Sequence, residues 1–195
     1  MSHLRVLCLH GYHGSGAILR DQMESLVAAL PQNVELVYAN APSRASGDFG
    51  WWHEGFDGWE RTRDWAIQLV CGGPRFDGVF GFSQGAALAG LLTAVQESGS
   101  APPEFHFGFA VMVGGFTSDL PKHADLFRHK LTTPSVHVIG RRDVVVPRKD
   151  SLRLADRFAN PLILEHPGGH IVPGQGAVAE PIAGFLADWK AVDNE

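Results

Sequence analysis

The 195-residue sequence has no apolar run near the roughly 18 residues that a membrane-spanning helix requires. Cysteine is scarce: only Cys8 and Cys71 occur, and there is no N-x-S/T acceptor. Nothing therefore points to a secreted, disulfide-stapled fold, and Cys8, inside an apolar segment, reads as a small buried hydrophobe. The opening "MSHLRVLCLHG" lacks the small-residue cleavage site of a secretory leader, so a cytoplasmic protein is the expectation. Positive charge is also in short supply. Lys and Arg total 16 against 21 Asp and Glu, giving a formal net charge of −5 and a pI near 6.0. That balance argues against nucleic-acid binding, which needs a basic face to neutralise phosphates. The basic clusters "GRRD" and "PRK" read as solvated corners.

A further absence decides how the first loop is read. In "RVLCLHGYHGSGAI", Gly11 and Gly16 have the G-x-x-x-x-G spacing of a phosphate-binding loop. Such a loop continues with Lys and then Ser or Thr, to hold phosphate oxygens and a metal. Here Ala17 and Ile18 follow, so the cation is missing and the nucleotide reading fails. Repeats, low-complexity tracts and Pro/Gly-rich linkers are missing too, and residues 1–195 are expected to form a single domain.

What is present is an alternation of short apolar runs and amphipathic stretches. "LRVLCLH", "VELVYAN", "FDGVFGF", "FGFAVMVG", "PSVHVIG" and "NPLILEH" read as strands, most of them continuous enough to be buried on both faces of a parallel sheet. Between them, "AILRDQMESLVAAL", "DGWERTRDWAIQLV", "QGAALAGLLTAVQES", "RKDSLRLADRF" and "GAVAEPIAGFLADWKAV" read as helices, the last interrupted by Pro181. Alternation of this kind implies an α/β fold: a mostly parallel sheet of about five or six strands with helices on both faces. "APSRASGDFGWWHEGF" and "GGFTSDLPKHADLFRHK" resist assignment. Both follow strands, which puts them at the carboxyl edge of the sheet, where ligands bind in such folds.

The most informative segment is "FDGVFGFSQGAALAG". Gly81-Phe82-Ser83-Gln84-Gly85 matches G-x-S-x-G between a strand and a small-residue helix. A serine on so sharp a turn is exposed, and the glycines let strand and helix approach closely. A serine hydroxyl needs a base to take its proton and an acid to orient that base. Asp143 in "GRRDVVVP" and His170 in "HPGGHIVP" follow later strands, in the order Ser, acid, His. Asp119 and Asp125, after an earlier strand, are competing acids. Asp150 and Asp156 fall in a helix and read as solvated. His166 ends its strand, while His106, His123 and His129 precede the acid. The loop "HGYHGSG" then suits an oxyanion hole, with the backbone N–H groups of Tyr12 and Gln84 as donors. His10 reads as a structural residue of that loop.

With "LCLHGY", "GVFGFSQGA", "GRRDVVVP" and "GGHIVP" in order, the chain resembles the small serine hydrolase family of the α/β-hydrolase superfamily, the type of the yeast family-of-serine-hydrolases proteins and the human ovarian-cancer-associated hydrolase. The resemblance runs from about Leu4 to the last helix. It implies a compact α/β-hydrolase fold with little or no lid, carboxylesterase or thioesterase activity, and Ser83, Asp143 and His170 in the matching positions. Some fungal members release polyketide chains from synthases, so the implied partner is a small ester or an acyl thioester, including a carrier-bound acyl chain. The acyl-protein thioesterase and carboxylesterase family is a close competitor. Acyl transfer to an alcohol fits the same motifs, and a non-catalytic binding protein could be built on the same frame. The reaction needs no metal and no cofactor. Trp51, Trp52, Phe116, Val144 and Ile171, on loops at the same edge, are the expected walls of an apolar acyl site.

Overall fold

The computed structural model describes residues 3–45 and 48–189. The chain runs β1 (Leu4–Leu9), α1 (Gly16–Gln22), α2 (Glu24–Val27), β2 (Val34–Ala39), β3 (Ser43–Ala45), β4 (Asp48–Gly50), α3 (Trp59–Cys71), β5 (Gly78–Phe82), α4 (Gln84–Glu97), β6 (Phe109–Val113), α5 (Pro121–Ala124), β7 (Ser135–Gly140), α6 (Arg148–Ala155), β8 (Pro161–His166) and α7 (Gly176–Asp188). Six strands form one all-parallel sheet in the order β2-β1-β5-β6-β7-β8. All six expected strands are there, trimmed by one or two residues at their ends.

The apolar character of each strand follows its place in the sheet. β5 and β6, in the middle, are buried along their whole length, as strands covered by helices on both faces must be. β2 and β8 lie at the edges and are only partly buried. One core holds α3, α4 and α6 against one face, and a second holds α1, α2 and α7 against the other. Helix α4 is buried from Gln84 to Val95, and its Ala and Gly residues let it lie close over the centre of the sheet. Among the described residues, no helix is long and apolar enough to cross a membrane.

The structure departs from the expected elements at three places. The single helix expected over 17–30 breaks at buried Met23, whose N–H is shared between the carbonyls of Leu19 and Arg20, so the turn tightens. The first unassigned stretch contains a short antiparallel pair, with Ser43 opposite Gly50. The second contains α5 and a turn of 3₁₀ helix at Asp125–Phe127.

His137, in β7, is buried beside the ring of Phe158 with Nε2 at 3.2 Å from Ser135 Oγ. Burial lowers its pKa from 6.5 to about 3. The unfolded chain therefore binds a proton that the folded chain refuses between those two values. Stability is lost as pH falls through that window, by up to about 1.4 kcal/mol per pH unit for this one group. Urea unfolding midpoints measured from pH 7 to 4 should fall, and His137→Phe should flatten the slope by about one proton.

Candidate active site

Parallel register brings the ends of the strands to one edge. Leu9 pairs with Gly81, Phe82 with Val113, and Gly140 with His166. Ser83, the residue after β5, has φ 56° and ψ −118°, a conformation strained for a residue with a side chain. It is held there from both sides: its N–H donates to the Val113 carbonyl (2.8 Å), and its own carbonyl accepts from Ala86 and Ala87. Two glycines make the turn possible. A Cβ on Gly81 would collide with the Gly85 carbonyl, and one on Gly85 with the carbonyl oxygens of Leu9 and His10. Gln84, as the first residue of α4, has no carbonyl one turn back for its N–H, which is left at the positive end of the helix.

The loops after β7 and β8 continue to pair beyond the sheet. Arg141 N–H donates to the His166 carbonyl and Arg142 N–H to the Gly168 carbonyl (2.9 and 3.0 Å). That zipper brings Asp143 and His170 together, with His170 Nδ1 2.6 Å from Asp143 Oδ2. The Asp143 side chain is 2% exposed. Its other oxygen accepts the N–H groups of Val145 and Val146 (2.9 and 2.8 Å), so three donors converge on one buried carboxylate. A carboxylate on Nδ1 assigns the proton to that nitrogen and leaves the Nε2 lone pair available. The Phe82 ring lies against His170, centroids 4.8 Å apart, next to Ser83. Among the described residues, the Ser83 hydroxyl and His170 Nε2 make no hydrogen bond to each other.

Several of the competing acids and bases have partners other than Ser83 and His170. Asp119 binds Arg153, Asp125 binds Arg128, and Asp156 binds Lys130. His123 is buried against Ser118, and His166 Nδ1 accepts the Gly168 N–H. His10 is structural, as expected: Nδ1 lies 2.7 Å from the Gly11 carbonyl, and Nε2 accepts the Ala41 N–H (3.1 Å). Burial holds its pKa below the ordinary imidazole value, which keeps this tautomer neutral.

The model of the serine hydrolase (FSH1) family matches residues 1–182. The chain belongs to this family. Esterase OVCA2 of Xenopus tropicalis is 34% identical over 200 residues, covering 87% of this chain and 86% of the relative. Esterase OVCA2 of Danio rerio is 33% identical over 225 residues, covering 96% and 98%. A dihydrofolate reductase of Schizosaccharomyces pombe is 32% identical over 94% of this chain, which spans about half of that longer protein (47%). Among solved structures, acyl-protein thioesterase 2 of Zea mays superposes with a TM-score of 0.72 at 21% identity, covering 96% of this chain and 94% of that one. The Bacillus cereus carboxylesterase superposes with a TM-score of 0.68 at 16% identity, covering 95% and 88%. These likenesses show the α/β-hydrolase fold.

In this FSH1-family hydrolase a cleft of about 420 Å³ opens beside Ser83. Phe116 lines it, together with Tyr12 and Gln84, the two residues named from the sequence as oxyanion donors. The other expected walls need correction. Trp51 and Trp52 are buried in the core, 0% and 5% exposed, because β4 and the Gln84 side chain draw their backbone inward. Val144 is 90% exposed and Ile171 54%, and neither lines the cleft. The turn that Asp143 Oδ1 makes with the next N–H groups puts Val145, Val146 and Pro147 on the wall instead. Thr117, Asp119, Asp150 and Arg153 complete it, so Asp150 is a cleft residue rather than solvated surface. Only their position after β6 and on α6 could have hinted at this. Arg141 is not a free cation: it shares Glu165 with Arg148, and the two guanidiniums, Arg148 foremost, hold that carboxyl below its ordinary pKa.

The Gly85 contact is with backbone that cannot swing aside. Gly85→Ala should cost at least about 3 kcal/mol, the upper range for overpacking, seen as a lower thermal midpoint or insoluble expression.

Proposed function

We propose that this hydrolase cleaves carboxylic esters or acyl thioesters by two-step acyl transfer through Ser83. His170 takes the Ser83 proton as Oγ bonds to the substrate carbonyl carbon. The same proton then goes to the departing alcohol or thiol as the bond to it breaks. Asp143 holds the imidazole and stabilises its cationic form. In the second step His170 takes a proton from water, the hydroxide oxygen bonds to the acyl carbon, and Ser83 leaves with the proton returned. Tyr12 and Gln84 N–H groups receive the oxyanion of each tetrahedral intermediate, a contribution of about 3–4 kcal/mol per donor in comparable sites. The single observation carrying this reading is the 2.6 Å His170–Asp143 contact at the same sheet edge as the strained Ser83 turn.

The cleft supports an acyl substrate, since Tyr12, Phe116, Val145 and Val146 give it apolar walls beside the serine. The OVCA2 relatives are named esterases and the maize neighbour an acyl-protein thioesterase, and both activities suit this site. An acyl chain carried on a larger thiol would enter through the open mouth, where Tyr12 is 44% exposed. We further take the chain as one domain over 1–195, working in the cytoplasm.

A fluorophosphonate probe should label the wild-type protein and not Ser83→Ala. A folded wild type that stays unlabelled would overturn the reading. Asp143→Asn keeps the shape of the buried pair but not its charge, and should lower kcat for a p-nitrophenyl ester by about 10³- to 10⁴-fold with the fold retained.

A further inference from the structure

Gln84 carries a side chain whose contacts have nothing to do with its backbone N–H. Its Oε1 accepts the Trp51 N–H at 3.0 Å, and its Nε2 donates to the Trp52 carbonyl at 2.8 Å. One buried amide thus pairs with a two-residue length of backbone as a neighbouring strand would. Trp51 passes the constraint on. Its indole N–H donates to the His10 carbonyl at 2.7 Å, and its ring packs between those of His10 and Trp65, at 4.7 and 5.3 Å. Thr62 Oγ1 holds the Trp51 carbonyl from the other side.

The His10 carbonyl belongs to the peptide immediately before Gly11–Tyr12. The Gly11 carbonyl is fixed as well, by His10 Nδ1–H at 2.7 Å and the Gly14 N–H at 3.0 Å. A trans peptide is planar, so its C=O and N–H point in opposite directions. Whatever fixes the Gly11 carbonyl therefore aims the Tyr12 N–H. Two consecutive peptides of the loop are pinned in this way, and the first of them is pinned by Trp51. Within this network, the Gln84 amide is what holds the Trp51–Trp52 backbone to the start of α4, the same turn that presents Ser83.

We propose that the Gln84 side chain, acting through Trp51, is a positioning group that sets the Tyr12 N–H relative to Ser83. Gln84 then serves the oxyanion twice, directly through its backbone N–H and remotely through its side chain. The proposal rests on the assignment of Tyr12 and Gln84 as oxyanion donors. It also gives the first residue after the serine a reason to be glutamine: the side chain spans two peptides only if it offers one acceptor and one donor.

Gln84→Met tests it, because methionine keeps the length and the backbone N–H and removes both side-chain hydrogen bonds. For a p-nitrophenyl ester, kcat should fall about 10- to 100-fold, short of deleting a donor outright, while KM moves by less than about threefold. Inhibition by a trifluoromethyl ketone, whose serine adduct bears the same oxyanion, should weaken by the factor lost from kcat/KM. Trp51→Phe, which removes only the indole N–H and some ring area, should act in the same sense. The double variant should lose less than the product of the two single losses, as for groups on one path. A folded Gln84→Met with wild-type kcat, or one that loses only in KM, overturns the proposal. If Gln84→Met does not fold, Trp51→Phe decides alone, and wild-type kcat there overturns it. An inert wild type would overturn the hydrolase reading and this proposal with it, whereas an active wild type with an unimpaired variant overturns this proposal only.

Discussion

The carboxyl edge of this protein is organised by the missing side chains of Gly81 and Gly85. With a Cβ at either position, α4 could not begin where it does, because the colliding atoms are backbone carbonyls of Gly85, Leu9 and His10. That close approach has three effects. It forces Ser83 into positive φ, it sets the first N–H groups of α4 at the end of β5, and it brings the Gln84 side chain against residues 51 and 52. The strain at Ser83 persists because its neighbours are over-determined, with ladder bonds on one side and a buried helix on the other.

The second requirement is that Asp143 and His170 meet although 27 residues separate them. Parallel pairing of β7 with β8 puts both following loops at the same edge, and the Arg141–His166 and Arg142–Gly168 backbone bonds extend that pairing outward. The Asp143 carboxylate is buried without penalty from unpaired lone pairs, since His170 and two loop N–H groups meet it. The same contacts fold the loop so that Val145 and Val146 face the cleft. Orienting the imidazole and building a pocket wall are thus one structural event.

Much of this was legible in the residue pattern. Continuous Val, Leu and Phe runs marked the six strands, because a strand covered on both faces has no polar side to show. G-x-S-x-G marked the sharp turn, because only glycine tolerates backbone on both flanks. The order of Ser83, Asp143 and His170 singled out one acid among several, and the structure pairs that acid with His170. The pocket walls were less legible. Trp51 and Trp52 looked like aromatic lining because they sit in a loop at the right edge. Whether a loop tryptophan faces a cleft or the core depends on what grips its backbone, here an amide from a segment 33 and 32 residues away. Val144 and Val145 differ by one position, and a side-chain turn from Asp143 decided which of them lines the cleft.

The sequence by itself therefore determined the sheet, the strained serine turn and the identity of the His–Asp pair, because each is written in local periodicity, in glycine placement or in chain order. Only the tertiary structure decided which loop residues line the cleft, that Asp150 and Arg153 of α6 reach it, and that Gln84 clamps the Trp51–Trp52 backbone. Those outcomes depend on hydrogen bonds between segments distant in sequence. Such bonds leave no periodic trace, because a single side chain satisfying two remote peptides needs only to be the right residue in one place.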